Sequence, residues 1–238
     1  MTEIITRTNR YLYDDIMEDM FEQRYRVLIK GLGWNVPGCE VGRDVDAFDA
    51  EDTVYIIECH PDTGQLIASS RLNPTTKPHL MSEVFPHQCE LRGVPQADTI
   101  WELSRVVYDP ERMQGQLFKK TRAALRLAIT EFCLATGIQA LTWLSRREMF
   151  ASTTTFWSTR PLGGSQFYTD DQQHYVAAIS EIDEAALLAT KAKFSEYSDE
   201  DLVLTSRMPS SAWRQSLVSS IGMGGLRSEG DRRANQHI

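Results

Sequence analysis

The sequence lacks the features that would place this protein in a membrane, on nucleic acid or in an oxidising compartment. No run approaches the roughly 18 apolar residues of a membrane-spanning helix, and residues 1–10 contain no hydrophobic signal core. Lys and Arg number 25 against 33 Asp and Glu, and the formal net charge of -8 disfavours nucleic acid, because phosphate binding needs a basic surface. We therefore expect a cytoplasmic protein with no membrane insertion and no nucleic-acid partner.

Several motifs of nucleotide, hydrolase and metal chemistry are also missing. The chain contains no P-loop, no G-x-G-x-x-G and no G-x-S-x-G elbow. Its 4 cysteines are scattered without a C-x-x-C pair, which predicts reduced, structural thiols. His79, His87 and Cys89 match no standard zinc spacing, so we expect no metal site.

The chain of 238 residues is long enough for one large domain with a full hydrophobic core. We predict a single domain over residues 1–205. Residues 206–238 are rich in Gly, Ser and Arg and have little periodicity, so we predict a loose C-terminal tail there.

The hydrophobic patterning predicts alternating helices and strands. Apolar residues at three- and four-residue spacing predict helices, and β-branched or aromatic runs bounded by Gly, Pro or Asp predict strands. The predicted helices cover residues 11–30, 79–85, 114–136 and 182–194, and another begins with Ser145 as its cap. The predicted strands cover residues 53–59, 65–72, 99–108, 138–144 and 175–179. A strand, a long helix and a strand over residues 99–144 form a βαβ unit, which favours parallel or neighbouring strands.

The predicted central strand, residues 99–108, carries two charges within an apolar run. Strict alternation places Glu102 on one face of the sheet and Arg105 on the other, unless a bulge at Leu103 or Ser104 re-aims one of them. Burying a carboxylate and a guanidinium is costly without hydrogen-bonded partners. These side chains therefore belong either to a structural ion-pair network or to a polar cavity.

Other polar positions interrupt the apolar pattern in the same way. Arg24 falls on the apolar stripe of the first helix, so it either extends its charge to the surface or reaches an anion in a cleft. Trp34 and the carboxylates that follow it in the irregular connection 33–50 suit a flat cationic ligand, although a solvated acidic loop has the same composition. Arg71 is a further cation on a strand that must pack against something.

Taken in order, these residues resemble the pattern of the acyl-homoserine-lactone synthases, the LuxI-type autoinducer synthases. That pattern has an Arg on the first long helix, a Trp ten residues later, an acidic motif, a strand ending in Arg, and E-x-S-R on the next core strand. The corresponding residues here are Arg24, Trp34, Asp46-Ala-Phe-Asp49, Arg71 and Glu102-Leu-Ser104-Arg105. The resemblance covers about residues 10 to 195, and the 206–238 tail has no counterpart in it. Leu28 departs from it, replacing a usual Phe, and so does Val106, which replaces a common aromatic.

The resemblance implies a fold similar to that of the GNAT acyltransferases. This fold is α/β (α+β by some schemes), a three-layer α-β-α sandwich with a mixed central sheet whose two central strands splay apart to admit a pantetheine arm. Residues 99–108 and 138–144 would be those strands. The open backbone groups on splayed edges can hydrogen-bond pantetheine amides.

The resemblance also implies an activity and roles for its residues. An acyl group would pass from a thioester to the amine of S-adenosylmethionine, followed by lactone closure and release of methylthioadenosine. Glu102 would be the base, directly or through a water, and Arg105 and Asp46 would complete the catalytic group. Ser104 and Thr142 would contact the acyl chain, although Thr142 is equally explained as an ordinary strand residue. The residues that would bind S-adenosylmethionine are Arg24, Leu28, Trp34, Asp46, Asp49, Arg71 and Arg105. S-adenosylmethionine is a substrate here, so no cofactor is expected.

The acyl donor implied by the resemblance is acyl-acyl carrier protein or acyl-coenzyme A. Most of the family uses the carrier, an acidic partner that needs a basic patch. Lys119, Arg146 and Arg147 would provide it with Lys120, Arg122 and Arg126, although solvated helix faces carry the same charges. Residues 51–55, 74–78 and 102–105 resemble a subgroup that includes coenzyme A users. We expect the carrier to be preferred.

Two alternatives remain open. One is an N-acetyltransferase of the same fold acting on another amine, which would need a glycine-rich phosphate loop where residues 110–116 contain only Gly115. The other is a domain without enzymatic activity that senses a ligand or binds a partner.

Overall fold

A mixed β-sheet of eight strands forms the centre of the structure, a computed structural model that describes residues 1–36, 39–169 and 171–196. The strands are β1 (Thr2–Ile5), β2 (Val54–Cys59), β3 (Leu66–Pro74), β4 (Ile100–Tyr108), β5 (Ala140–Arg146), β6 (Ser158–Pro161), β7 (Gln166–Tyr168) and β8 (Gln173–Glu181). Their order across the sheet is β1-β2-β3-β4-β5-β8-β6, and β7 pairs with β8. β4 and β5 are parallel, whereas the other pairs are antiparallel.

Helices cover both faces of this sheet, which confirms the three-layer α-β-α architecture. The α-helices are α1 (Asp14–Arg24), α2 (Leu80–Glu83), α3 (Gly115–Thr136), α4 (Arg147–Thr153) and α5 (Glu184–Lys193). On one face, called the α1 face below, α1 packs its apolar residues against β2. On the other, the α3 face, α3 and α5 enclose the larger core. None of the helices in the described part combines the length and apolarity that a bilayer crossing requires.

The two central strands separate after a short parallel pairing. β4 and β5 are in register only from the pair Ile100 and Ala140 to the pair Glu102 and Thr142. Beyond this point β4 continues with its other edge paired to β3, and β5 continues with its other edge paired to β8. Beyond these three pairs, the inner edges of both strands have no ladder partner among the described residues, which agrees with the splayed strands that the resemblance implied.

A bulge in β4 decides where Arg105 points. Ser104 pairs with Arg71 and Val107 pairs with Ser69, so Arg105 and Val106 together oppose a single residue of β3. Arg105 has a φ of 49°, in the left-handed region that residues other than glycine rarely adopt. The bulge lies one residue beyond the predicted positions, and it places Arg105 on the same face as Glu102. Strict alternation predicted the wrong face for Arg105, because it assumes a regular hydrogen-bond ladder between β3 and β4.

Other predicted elements match, with local corrections. The helix predicted over residues 11–30 is a 3₁₀ turn (Arg10–Leu12), α1 and a π-helical segment (Tyr25–Gly31). The Ser145 helix cap is wrong, because β5 continues to Arg146 and α4 begins at Arg147. The long helix α3 ends as predicted at Gly137, which adopts a φ of 77°. β1, β6 and β7 were not predicted, and the proposed tail 206–238 lies outside the described residues.

Candidate functional site

Three arginines and three aspartates, called the ionic set below, bond to one another on the α1 face. They lie where β3 and β4 contact the connection between α1 and β2. Arg24, at the end of α1, donates from Nε to Asp44 Oδ2 at 3.1 Å. Its Nη1 and Nη2 donate to the two oxygens of Asp49 at 2.8 and 3.0 Å. Arg24 is 1% exposed, so its charge does not extend to the surface. All three of its nitrogens are used to hold the acidic loop.

Arg71 and Arg105 complete the set from the adjacent strands. Arg71 donates from Nη1 to Asp46 Oδ1 at 2.6 Å and from Nε to the Ser104 hydroxyl at 3.0 Å. Arg105 donates from Nε to Asp44 Oδ2 at 2.8 Å and from Nη2 to Asp46 Oδ2 at 2.9 Å. Each carboxylate is therefore shared between two guanidinium groups, because Asp49 Oδ1 also lies 3.2 Å from Arg71 Nη1.

The electrostatics of this set are those of paired charges in a dry site. Burial alone would raise the pKa values of Asp44 and Asp49, but neighbouring arginines lower both below the usual range. Burial would lower the pKa of Arg24 and Arg71, and the aspartates raise both above the ordinary value. Arg105 differs, since burial together with Arg71 and Arg24 lowers its pKa despite Asp44 and Asp46. Two like charges, Arg71 and Arg24, therefore act on Arg105 together with its two aspartate partners.

One buried donor in the set has no partner among the described residues. Arg71 Nη2 makes no hydrogen bond there, although the residue is fully buried. An unsatisfied buried N–H is costly. Arg71 Nη2 beside Arg105 is therefore a position ready to receive an acceptor such as a carboxylate.

Two aromatic rings lie against these guanidinium groups. The Trp34 ring is 5.9 Å from the guanidinium carbon of Arg105, and the Phe48 ring is 5.9 Å from that of Arg71. The backbone N–H of Trp34 donates to the carbonyl of Leu28 at 3.1 Å. The structure thus places half-buried Trp34 at this site, where it could stack on a flat ring, and joins the predicted residue Leu28 to it through the backbone only.

Glu102 is the acidic residue nearest the point where the strands separate. It is 1% exposed, and its Oε1 and Oε2 accept the backbone N–H groups of Leu80 and Met81 at 3.1 and 2.6 Å. Burial raises the pKa of Glu102, and these N–H groups offset the effect only in part. A carboxylate oxygen has two lone pairs, so each oxygen can accept another proton donor.

The predicted acyl-chain residues lie beside Glu102 but differ in their surroundings. Thr142 is fully buried opposite Glu102 in the last parallel pair, and its hydroxyl donates to the carbonyl of Trp101 at 3.5 Å. Ala140 and Leu144 on the same face belong to an apolar cluster. Ser104 instead accepts from Arg71, which joins it to the ionic set.

The three predicted docking cations do not share one environment. Lys119 on α3 and Arg147 at the start of α4 are exposed. Arg146 belongs to β5 and is half-buried, and its Nη2 lies 3.3 Å from Asp171 Oδ2. Among the described residues no group of His, Cys, Asp and Glu could hold a metal ion.

Sequence reasoning missed two residues at this site. Asp44, fully buried, bridges Arg24 and Arg105, and its position in the acidic run was the only indication. Tyr55 on β2 donates its hydroxyl to Asp49 Oδ1 at 2.9 Å. The alternation of β2 places Tyr55 on the α1 face, but nothing in the sequence indicates its partner.

Comparisons with known proteins agree with this geometry. The family described as autoinducer synthase matches residues 8–150. An isovaleryl-homoserine lactone synthase of Bradyrhizobium diazoefficiens is 38% identical over 152 residues, 61% of this chain and 67% of that protein. An acyl-homoserine-lactone synthase of Acinetobacter nosocomialis is 39% identical over 82 residues, 34% of this chain and 44% of that protein.

Solved structures extend the likeness to most of the chain. A coenzyme A-dependent acyl-homoserine lactone synthase, solved with S-adenosylmethionine and isopentyl-coenzyme A, has a TM-score of 0.75 and 29% sequence identity. The alignment covers 94% of this chain and 99% of that one. The LasI acyl-homoserine-lactone synthase, at 21% identity and a TM-score of 0.69, shares the fold.

Proposed function

This chain belongs to the autoinducer synthase family, and we propose that it is an acyltransferase that makes an acyl-homoserine lactone. S-adenosylmethionine would supply the amine, an acyl thioester the acyl group, and methylthioadenosine would be released. One observation carries this proposal: the arginine and aspartate set, in which Arg71 Nη2 has no partner among the described residues, lies beside Glu102 where the central strands separate. A zwitterionic amino acid and a thioester arm can meet at that point.

The ionic set suits the amino-acid part of S-adenosylmethionine. Its carboxylate would bind Arg71 Nη2, the buried donor that has no partner among the described residues, and the neighbouring Arg105. Its amino and sulfonium groups would face Asp46 and Asp49, while Trp34 stacks on the adenine. Arg24 would hold Asp44 and Asp49 in place, because its own nitrogens are already used. No cofactor is required.

Glu102 would remove the proton that the amine must lose before attack. The free amine forms the amide bond with the thioester carbonyl, and the donor's thiol leaves. A raised pKa makes Glu102 a stronger base than an exposed carboxylate, and two backbone N–H groups fix its position. Lactone closure then needs the substrate carboxylate held against the carbon next to the sulfonium, which Arg71 and Arg105 would achieve by positioning.

We propose acyl-coenzyme A as the donor. The preference expected for acyl carrier protein is not supported, because a similar structure that covers 94% of this chain is that of a coenzyme A-dependent enzyme. Arg146 is also half-buried and pairs with Asp171, so it contributes less charge to the predicted basic patch. The N-terminus of α3 has no side-chain cap and no acidic residue in its first turn, so its N–H groups are available to phosphate oxygens.

The donor is tested by steady-state kinetics with matched acyl-coenzyme A and acyl-acyl carrier protein thioesters. We expect a higher kcat/KM with the coenzyme A thioester, branched chains included. A higher value with the carrier would overturn the donor proposal, and the lactone itself would still be formed.

Glu102→Gln tests the base. Gln keeps one acceptor oxygen for the α2 backbone but cannot take a proton, so we expect kcat to fall roughly 10²- to 10⁴-fold. In the unmodified enzyme kcat/KM should fall as the pH decreases through the raised pKa of Glu102. Undiminished turnover in the variant would remove Glu102 from the mechanism.

Binding of S-adenosylmethionine without lactone formation, detected by thermal shift and mass spectrometry, would favour the ligand-sensing alternative. Acylation of another amine would favour the N-acetyltransferase.

A further inference from the structure

A neutral amide on β3 lies between the ionic set and Glu102. Asn73 follows Arg71 by two residues, so both side chains leave the strand on the α1 face. In the pairing with β4, Arg71 lies opposite Ser104. Asn73 lies opposite Glu102 in the same pairing and is 4% exposed. A buried amide at this position must find its hydrogen-bond partners inside the protein.

Both ends of the Asn73 amide are bonded to the connection between α1 and β2. Its Nδ2 donates to the carbonyl oxygen of Phe48 at 3.0 Å. Its Oδ1 accepts the hydroxyl of Thr53, which is also buried, at 2.7 Å. The Thr53 oxygen lies 2.9 Å from the Phe48 carbonyl and accepts the backbone N–H of Ala50 at 3.0 Å. The amide therefore ties β3 to the turn formed by residues 46–49.

Phe48 connects Asn73 to the carboxylate of Asp46. The backbone N–H of Phe48 donates to Asp46 Oδ1 at 2.8 Å. The same oxygen accepts Arg71 Nη1 at 2.6 Å. Asp49 closes the turn, since its Oδ2 accepts the backbone N–H of Asp46 at 2.9 Å. Because Phe48 is bonded at both its N–H and its carbonyl, its backbone is held between Asn73 and the Asp46 carboxylate.

We propose that Asn73 is a positioning residue that places the Asp46 carboxylate for the amino group of S-adenosylmethionine. This inference rests on the proposed function, in which Asp46 faces that amino group. Asn73 acts through Phe48, and because both ends of its amide are already bonded, it needs no contact with the substrate. Its place opposite Glu102 matters, because the amine must reach both the carboxylate that binds it and the base that deprotonates it.

Asn73→Leu tests this assignment, because leucine has nearly the shape of asparagine but forms no side-chain hydrogen bond. The Thr53 hydroxyl can still donate to the Phe48 carbonyl, so that buried acceptor keeps a partner and the variant should fold. We expect the dissociation constant for S-adenosylmethionine, measured by isothermal titration calorimetry without an acyl donor, to rise roughly 3- to 10-fold. The KM for the acyl thioester should stay close to the unmodified value.

Asn9→Leu is the matched control, because Asn9 is a buried amide with the same kinds of partner. It is 3% exposed, and its Nδ2 donates to the carbonyl of Ile4 at 2.8 Å. Its Oδ1 accepts the backbone N–H and the hydroxyl of Thr6 at 2.7 and 3.2 Å. We expect this variant to lose stability to urea as Asn73→Leu does, with unchanged affinity for S-adenosylmethionine. An equal loss of affinity in both variants would assign the effect to general destabilisation and overturn the proposal.

A double-mutant cycle with Asp46→Ala shows whether Asn73 acts through Asp46. Asp46→Ala leaves no carboxylate to be placed, so adding Asn73→Leu should raise the dissociation constant for S-adenosylmethionine no further. If Asn73→Leu raises it by the same factor in both backgrounds, the two residues act independently and the proposal fails.

The unmodified enzyme separates this inference from the proposed function. Lactone formation by the unmodified chain, together with unchanged affinity for S-adenosylmethionine in Asn73→Leu, would overturn only the positioning role. Absence of lactone from the unmodified chain would overturn the proposed function itself, and the inference with it.

Discussion

The two faces of β3 and β4 are built from opposite kinds of residue although both are buried. Toward α3 these strands present Ala68, Leu72, Trp101 and Leu103, which belong to the main hydrophobic core. Toward α1 the same strands present Arg71, Glu102, Ser104 and Arg105, each bonded to other polar groups. Burial alone therefore does not identify the hydrophobic core, because the α1 face buries a preorganised ionic site.

Carboxylates on the two faces behave differently for the same reason. On the α1 face, arginines lower the pKa values of Asp44 and Asp49. On the α3 face, Glu58 of β2 is bonded to the Thr2 hydroxyl and paired with the Met1 amine, and burial raises its pKa to about 7 despite both. The charged state is thus stabilised on one face and penalised on the other.

Asp44→Ala should have the largest effect on stability and activity, because Asp44 bridges two buried arginines on the polar face. Arg24 and Arg105 would both lose a buried partner, and removing one member of such a pair typically costs about 3–5 kcal/mol of unfolding free energy. Misplaced arginines should also reduce kcat/KM roughly 100-fold or more. Urea denaturation and lactone kinetics measure both effects. A variant of normal stability and activity would show that the ionic set is incidental.

Leu103→Ala should lower stability without changing substrate binding. Leu103 follows Glu102 in β4, but its side chain packs in the hydrophobic core on the opposite face of the sheet. Leu103 is 4% exposed in the main core, so its truncation should cost about 2–5 kcal/mol of unfolding free energy. The KM for either substrate should stay close to the unmodified value at temperatures where the variant is folded. A large change in the KM for S-adenosylmethionine without loss of stability would contradict the division into a core face and a site face.

Glu58→Gln should have the smallest effect, confined to pH values above about 4.5. A folded-state pKa of about 7, above the ordinary 4.5, means that the native state binds a proton which the unfolded chain has released. The unmodified protein should therefore lose stability as the pH rises from about 4.5 to about 7, by at most about 3 kcal/mol. The variant should lack this loss and be the more stable protein at pH 8. Parallel stability curves for the two proteins between pH 4.5 and 8 would exclude Glu58 as the cause.

Much of the fold could be predicted from the periodicity of apolar residues. Most site residues could be predicted because they are polar residues at positions where that periodicity calls for an apolar one. Arg24 and Arg71 interrupt apolar patterns, and both are buried in the site. The orientation of Arg105 could not be predicted, because it depends on a bulge with a left-handed φ at a residue other than glycine. Contacts with side chains on neighbouring strands decide such geometry, and these contacts cannot be read from a single sequence.

The element boundary predicted at Arg146 was wrong for a similar local reason. Ending the strand at residue 144 placed Arg146 and Arg147 together at a helix start, where they formed one basic patch. The strand continues to Arg146, so alternation places that residue on the face of Thr142 and Leu144, and the helix begins with exposed Arg147. A boundary error of two residues was enough to reverse the environment of a charge.

A crystal structure with bound S-adenosylmethionine would show most directly whether the polar face of β3 and β4 binds this substrate. We expect the substrate carboxylate to lie within hydrogen-bond distance of Arg71 Nη2, the buried donor that lacks a partner among the described residues. We also expect the adenine to stack on Trp34. A ligand bound elsewhere, with Arg71 Nη2 still unpartnered, would show that this face is not the S-adenosylmethionine site.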